Sequence, residues 1–371
     1  MIEGIRTART SEGGVLLDVP ARSLSSPYHS PVFFNPTMRF SRSMSSLAVG
    51  VLKPKKILDG LCASGARGLR YAKENAGVEK VFFVDANPTV IPFIKNNASL
   101  NRLGMKAEVA WSDFNDFCLS HESEFDFVEI DPFGTPAPFL DPALVCLKKP
   151  GVLSMTSTDL ANLVKKNAPT LRDYGAKPLY NEFSHETALR ILLGFAARKA
   201  YARKLSVKPL LCYYEGHHAK VIARVSRGKE DANAIGFVSY CDACLSRFEG
   251  KRSKCFGCGN RLLYAGPLWM KDFCDKPFLK KLAALNGKRD YEDKKKIGKT
   301  LLLLEKEQGF PPWFFDVHAV ADKFGLAVGK KMDAVLEGLE KRNFKSVKTH
   351  FEPVGVKTDA SVKEIKKVLQ A

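Results

Sequence analysis

Four cysteines carry the plainest chemistry in the chain. Cys241 and Cys244 form one Cys-x-x-Cys pair, and Cys255 and Cys258 form a second after ten intervening residues. Two such knuckles supply four thiolates for one tetrahedral zinc, and a closed structural site is the expectation. A rubredoxin-like iron centre and a pair of disulfides are the alternatives. So short a unit has little apolar core, so the metal would supply much of its folding energy. Lys251, Arg252, Lys254 and Arg261 surround it and are candidates for phosphate contacts. A second constellation is the loop Asp59–Gly60–Leu61–Cys62–Ala63–Ser64–Gly65–Ala66–Arg67–Gly68. Its small residues, Gly65 among them, let backbone approach a ligand closely. It is neither the dinucleotide Gly-x-Gly-x-x-Gly nor a P-loop, since no Gly–Lys–Ser/Thr follows. Asp85 lies where a carboxylate can accept both hydroxyls of a ribose, and Asp113 where an adenine amino group can donate. His185–Glu186 has Leu189 where a zinc protease needs its second His, which excludes that site.

These residues need a scaffold, and the hydrophobic pattern supplies one. Ile57–Leu58, Val81–Val84, Ala107–Trp111, Phe125–Ile130 and Gly151–Thr156 read as short apolar strands. Helical stretches separate them at about 69–75, 89–100 and 138–147. That alternation argues for an α/β fold with a parallel sheet covered on both faces. Asp59, Asp85, Asp113 and Asp131 all fall just past strand ends, the edge where open α/β sheets bind ligands. A periodic helix is expected over 186–205, then two antiparallel strands, Leu210–Glu215 and Ala219–Val225, closing the sheet. Arg227–Gly228–Lys229–Glu230 reads as a linker. Beyond it come the Cys-rich unit at about 237–265, a long helical stretch over 279–308, helices over 315–325 and 330–341, and a strand over 348–351. The order helix, helix, strand fits a winged-helix type module loosely. The expected division is an N-terminal extension over 1–50 packed on the core, a catalytic domain over 51–230 and a C-terminal α+β domain over 231–371.

The loop with Asp85 and Asp113 resembles the S-adenosylmethionine pocket of class I methyltransferases; a dehydrogenase or a bare turn is the alternative. Asp131–Pro132–Phe133–Gly134 resembles the (Asp/Asn)–Pro–Pro–(Tyr/Phe) loop of amino-methyltransferases. An exocyclic amine delocalises its lone pair into the base. A carboxylate and a backbone carbonyl that accept its two N–H groups localise that pair toward the methyl sulfonium. Positioning and preorganised electrostatics, not a protein nucleophile, then carry the rate. The wider sequence is similar to the tRNA guanine-26 N2-dimethyltransferase family of the archaeal and eukaryotic type, over nearly the whole length. The carrying segments include Pro31–Val32–Phe33–Phe34–Asn35–Pro36–Thr37–Met38, Gly65–Ala66–Arg67–Gly68, Asp131–Pro132–Phe133–Gly134–Thr135–Pro136, Asn181–Glu182–Phe183–Ser184–His185–Glu186 and Thr349–His350–Phe351. The resemblance implies transfer of one or two methyls from S-adenosylmethionine to the N2 amine of guanosine 26 in tRNA. It makes Asp131 the catalytic residue with Phe133 beside the base, and assigns Arg42, Arg67, Asp85, Asp113 and Phe114 to the cofactor. Two segments depart from the family. Asn–Arg–Asp becomes Ser41–Arg42–Ser43, and Thr–Asp–Thr–Ala–Pro–Leu becomes Thr158–Asp159–Leu160–Ala161–Asn162–Leu163. Another nucleic-acid or protein target, or a noncatalytic RNA-binding protein with this fold, are the competing readings.

Composition agrees with a polyanionic partner. Over 371 residues, 58 Lys and Arg face 40 Asp and Glu, a net charge of +18, and nucleic acid is the obvious attractant. Arg342, Lys345, Lys348 and His350 are candidate readers of an RNA backbone. Nine Cys are few for this length and point to a reducing, cytoplasmic setting. No apolar run is long enough for a membrane helix, and no secretory signal or obligate protein partner is evident.

Overall fold

The computed structural model describes every residue except Lys166, Glu230, Val328 and Gly329. Glu230, the last residue of the expected linker, therefore lies outside the described residues. The chain opens with the antiparallel hairpin β1 (Thr7–Glu12) and β2 (Val15–Pro20). Its turn residue Gly13 has φ +56°, and a Cβ there would strike Arg70 and Glu74. The hairpin is thus pressed against the catalytic core, and Val15, Leu17 and Val19 are buried.

The core is a seven-stranded sheet: β3 (Lys56–Gly60), β4 (Lys80–Asp85), β5 (Ala107–Trp111), β6 (Phe125–Ile130), β7 (Leu147–Ser157), β8 (Leu205–Glu215) and β9 (His218–Arg227). The spatial order is β5-β4-β3-β6-β7-β9-β8. β3 to β7 run parallel, and β9 is antiparallel to both neighbours. That is the class I methyltransferase architecture. Helices α1 (Arg39–Leu52), α2 (Ala66–Glu74), α3 (Val90–Leu100), α4 (Phe114–Ser120), α5 (Leu140–Cys146), α6 (Leu160–Lys165), α7 (Asn167–Tyr174) and α8 (Ser184–Tyr201) flank it. The strand faces are apolar almost throughout, as double coverage requires. α8 ends four residues before the expected limit because Leu205 already belongs to β8.

The C-terminal half begins with a three-stranded sheet, β10 (Ile235–Tyr240), β11 (Arg247–Glu249) and β12 (Leu263–Trp269), which carries the cysteines. The helical stretch over 279–308 is two helices, α9 (Lys276–Gly287) and α10 (Lys294–Lys306). The break is tertiary in origin. Arg289 donates to the Asn75 side chain at 2.8 Å, Tyr291 bonds Glu74, and Asp293 accepts from Arg39 at 2.9 Å. The last unit has β13 (Phe315–Asp316), α11 (Val317–Lys323), α12 (Met332–Glu340), β14 (Ser346–Lys348), β15 (Gly355–Thr358) and α13 (Val362–Gln370). With α10 before it, its helix and strand order is that of a winged-helix module. No helix among the described residues is long and apolar enough to cross a membrane.

Candidate active site and metal centre

The carboxyl ends of β3, β4 and β6 open into a cleft of about 470 Å³ lined by Asp59, Ala63, Arg67, Asp85, Asp131 and Phe133 among others. β3 lies between β4 and β6, which are followed in opposite directions, so this is the topological switch point of the sheet. The loop after β3 turns into α2 through Gly65 at φ +72°. A Cβ on Gly68 would strike Phe83 and Asp59, so only glycine lets α2 approach the sheet this closely. Asp59 is buried and accepts the Gly68 N–H at 2.8 Å. Burial pushes its carboxyl up to about 8, so it is largely neutral at physiological pH. The Asp85 carboxylate accepts N–H groups from Ala63 and Asn87, both at 2.9 Å, which fixes its face at the cleft.

Asp131 is the focus of a buried ionic lattice. Arg67 donates through both Nε (3.1 Å) and Nη2 (2.5 Å) to the same oxygen, Oδ2, and its Nη1 donates to Ser45 at 3.0 Å. Oδ1 is left without either bond. Two residues earlier on β6, Glu129 is fully buried, accepts from Tyr71 at 2.8 Å and pairs with Lys220 of β9. Burial raises the Asp131 carboxyl, but Arg67 and then Lys220 outweigh it and hold the group well below the usual carboxylate range. Asp131 is therefore a charged acceptor throughout the physiological pH range.

Three aromatic rings stand over the cleft. Phe133 meets Phe33 edge-on with centroids 4.5 Å apart, and Tyr28 lies 6.2 Å from Phe133. Phe133 is 65% exposed, so its ring is available to a flat ligand. Its loop is tied to the loop after β7 by reciprocal bonds: Gly134 N–H donates to Thr158 Oγ1 at 2.8 Å, and Thr158 N–H donates to the Gly134 carbonyl at 3.0 Å.

Arg42 lines the same cleft but is held by an acid the local motif does not contain. Its Nε and Nη2 reach both carboxylate oxygens of Glu12, at 2.7 and 2.5 Å, and Nη2 also donates to the Asn35 carbonyl. Glu12 also accepts from Arg70 at 2.8 Å. The β1 hairpin thus furnishes the carboxylate missing from Ser41–Arg42–Ser43. Asp113 and Phe114 stand outside the cleft lining. Asp113 caps α4, accepting from Asn115 and Asp116, and Phe114 is buried against Gly60.

The cysteines converge as their spacing requires. The four Sγ atoms of Cys241, Cys244, Cys255 and Cys258 lie within 4.8 Å of one another, with two pairs at 3.5 Å. Thiolates on a tetrahedral zinc at about 2.3 Å lie roughly 3.8 Å apart, so the set fits that ion. Gly257 N–H and the Asn260 side chain donate to Cys255 and Cys258 sulfur, both at 3.3 Å, as thiolates require. All four sulfurs converge on one point rather than in two separate pairs, which suits a single ion better than two disulfides.

The family model for N2,N2-dimethylguanosine tRNA methyltransferases (TRM) matches residues 13–370. The chain belongs to that family. It is 36% identical to the tRNA (guanine(26)-N(2))-dimethyltransferase of Methanothermobacter thermautotrophicus, with 97% of each protein covered. It is 35% identical to the enzyme of the same name from Methanobrevibacter smithii, over 92% of this chain and 91% of that one. A solved structure of Trm1 from Pyrococcus horikoshii with S-adenosyl-L-methionine superposes with a TM-score of 0.87 at 27% identity, covering 98% of this chain and 99% of that one. The fold is that of a family member throughout.

Within this family frame, the residues expected at the site divide clearly. Arg42, Arg67, Asp85, Asp131 and Phe133 share the cleft lining, Gly65 shapes the loop beside it, and Asp113 and Phe114 lie behind. His350, expected among the RNA readers, has a buried side chain that bonds Glu307 at 2.8 Å and accepts the Tyr214 N–H at 3.2 Å. Lys348 is paired with Asp333 at 2.6 Å. His185 stacks on Tyr214, and Glu186 is buried against Arg190 and Lys357, so that pair ties the two halves together. Glu12, Glu129, Lys220, Tyr28 and Phe33 were not anticipated. A charged residue within an apolar strand, as at Glu129, was the available signal.

Proposed function

We propose that this protein transfers methyl groups from S-adenosylmethionine to the N2 amine of guanosine 26 in tRNA. The observation that carries the reading is the Asp131 carboxylate: it lines the cleft beside Phe133, and both Arg67 bonds fall on Oδ2, leaving Oδ1 clear of Arg67. S-adenosylmethionine supplies an electrophilic methyl on a sulfonium. The residues suited to hold it are those at the ends of β3 and β4, with Asp85 toward the ribose hydroxyls, the Gly65 loop under the backbone, and Arg42 and Arg67 on the inner wall. Asp113 and Phe114 remain candidates for the adenine end, with Asp113 acting through the α4 cap.

The target base stacks on Phe133, with Phe33 and Tyr28 at its edges. Asp131 Oδ1 accepts one N2–H. The Gly134 carbonyl is engaged by Thr158, so the Pro132 carbonyl is the acceptor for the other. Both bonds turn the nitrogen lone pair out of the ring. As the N–C bond forms, the methyl–sulfur bond of the sulfonium breaks with its electron pair staying on sulfur, leaving S-adenosylhomocysteine. The fixed Asp131 charge stabilises the positive charge developing on N2, and the proton on N2 then leaves toward that carboxylate. Reaching the amine requires the nucleotide to leave the tRNA stack, at a cost of a few kcal/mol. Residues 51–230 form the catalytic domain and 231–371 the tRNA-carrying one, with one zinc on the four cysteines. A reducing, cytoplasmic setting keeps those thiols available.

The test is mass spectrometry of nucleosides from unmodified tRNA treated with the protein and S-adenosylmethionine, followed by fragment mapping. N2-methylated guanosine at position 26 is expected, and the mono-to-dimethyl ratio defines the product. Product at another position would overturn the site assignment.

A further inference from the structure

Phe256 stands at the tip of the metal unit between Cys255 and Gly257, and it is 76% exposed. The small core there is Cys241, Cys255 and Leu262, so this ring contributes little to it. One edge meets Phe248 at 5.7 Å, and the Arg252 guanidinium lies 5.1 Å from its centroid. Nearby, the ammonium groups of Lys177 and Lys251 both reach the ring of Tyr264, at 4.5 and 4.4 Å. Among the described residues, none of Lys177, Lys251 and Arg252 forms an ion pair with a carboxylate; the Arg252 guanidinium donates only to the Glu249 carbonyl. Two like charges on one ring with no counter-ion invite an anion between them.

The position is continuous with the catalytic half. Lys177 is joined to Gly266 of β12 by a backbone bridge, and α6 and α7 run from the Thr158 loop to Lys177. The helix that would compete for RNA is itself acidic on its exposed face. A winged-helix module usually lays its second helix on nucleic acid, but α12 presents Asp333, Glu337 and Glu340 to solvent.

Resting on the tRNA reading above, we infer that this face binds the substrate tRNA away from the target nucleotide. Lys177, Lys251 and Arg252 neutralise backbone phosphates, and Phe256 stacks on one unpaired base. Exposed aromatics beside arginine and lysine are the chemistry by which single-stranded segments of folded RNA are held, and the ring faces are shared with the cations.

The experiment uses the full-length, zinc-loaded protein and unmodified tRNA. Phe256→Ala should weaken tRNA binding about tenfold at fixed salt, and Phe256→Trp should restore it. The dependence of log affinity on log salt should stay unchanged in Phe256→Ala. It should lose about one charge in Lys177→Gln, which lies outside the knuckle. For both variants KM for tRNA rises, kcat at saturation holds, and cofactor affinity holds. Wild-type tRNA affinity in both Phe256→Ala and Lys177→Gln, with the wild-type protein active on guanosine 26, would overturn this inference alone. A wild-type protein that neither binds nor methylates tRNA would overturn the functional reading and this inference with it. Self-association that Phe256→Ala abolishes, with tRNA binding untouched, would reassign the face to protein contact.

Discussion

Asp131 illustrates how one residue acquires its task from its neighbours. A carboxylate after a strand is common, and what distinguishes this one is Arg67 on a single oxygen and Lys220 behind it. The isosteric change Asp131→Asn should lower kcat about 100- to 1000-fold, the scale for losing one preorganised electrostatic contact, while cofactor affinity stays near the wild-type value. Single-turnover transfer and equilibrium cofactor binding measure the two separately; normal turnover in the variant would remove Asp131 from the mechanism. The same environment fixes the pH response. An unfolded Asp titrates near about 3.9, and the folded group lies lower because Arg67 and Lys220 overcome its burial. Its charged form therefore contributes stability above about pH 4, which is lost as pH falls through the folded value. Consequently kcat measured from about pH 5 to 8 should show no acid limb belonging to this carboxyl. An inflection in that range that disappears in Asp131→Asn would contradict the lattice described here.

Among the elements, the β1–β2 hairpin matters more than its place outside the seven-stranded sheet, against α2 and α3, suggests. Glu12 at its tip neutralises buried Arg42 and shares buried Arg70 with Glu74. Breaking a buried ion pair by removing one partner typically costs about 3–5 kcal/mol, because the remaining charge is stranded. Glu12→Gln should therefore lower unfolding free energy by about that amount in a denaturant titration. It should also weaken cofactor binding, since Arg42 lines the cleft. A variant as stable as the wild type would mean that the hairpin carboxylate is dispensable. The reason sequence reading passed over Glu12 is its distance: it lies 30 residues from Arg42 and 58 from Arg70 along the chain, and no local motif links them.

At the scale of the whole molecule, the two halves are joined by buried charge as well as by apolar packing. Glu186 of α8 meets Lys357 of β15, and Arg39 of α1 meets Asp293 between α9 and α10. The metal unit stands apart with its own small core. One zinc per chain is expected by elemental analysis; iron would refute zinc in favour of a rubredoxin-like centre, and no metal would refute the tetrathiolate assignment. Stripping that ion with a strong chelator should loosen the Cys-rich unit and weaken tRNA binding. Cofactor binding should remain, because the cleft draws no residue from that unit.

The sheet, the order of its acidic strand ends, the Gly-bearing loop and the four cysteines are all legible in the order of residues. Each of these is written locally, in hydrophobic periodicity or in spacing across a few residues. β5 and β6 fall where the apolar runs place them, and the Cys-x-x-Cys pairs close on one another. Which charges are paired and which are free follows from the folded arrangement alone. His350 and Lys348 look like surface cations in the sequence, yet one is buried on Glu307 and the other paired with Asp333. α9 and α10 read as one helix until Arg289 and Tyr291 dock on the catalytic half. α6 and α7 are short, and only a few side chains in each are buried, too weak a pattern to stand out, whereas α13 sets Val362, Ile365 and Val368 on one buried stripe, a periodic signal that was legible. The physical reason is common to all of these. Periodicity records which face of an element is buried, whereas the pairing of charges depends on which distant residues the fold brings within a few ångströms.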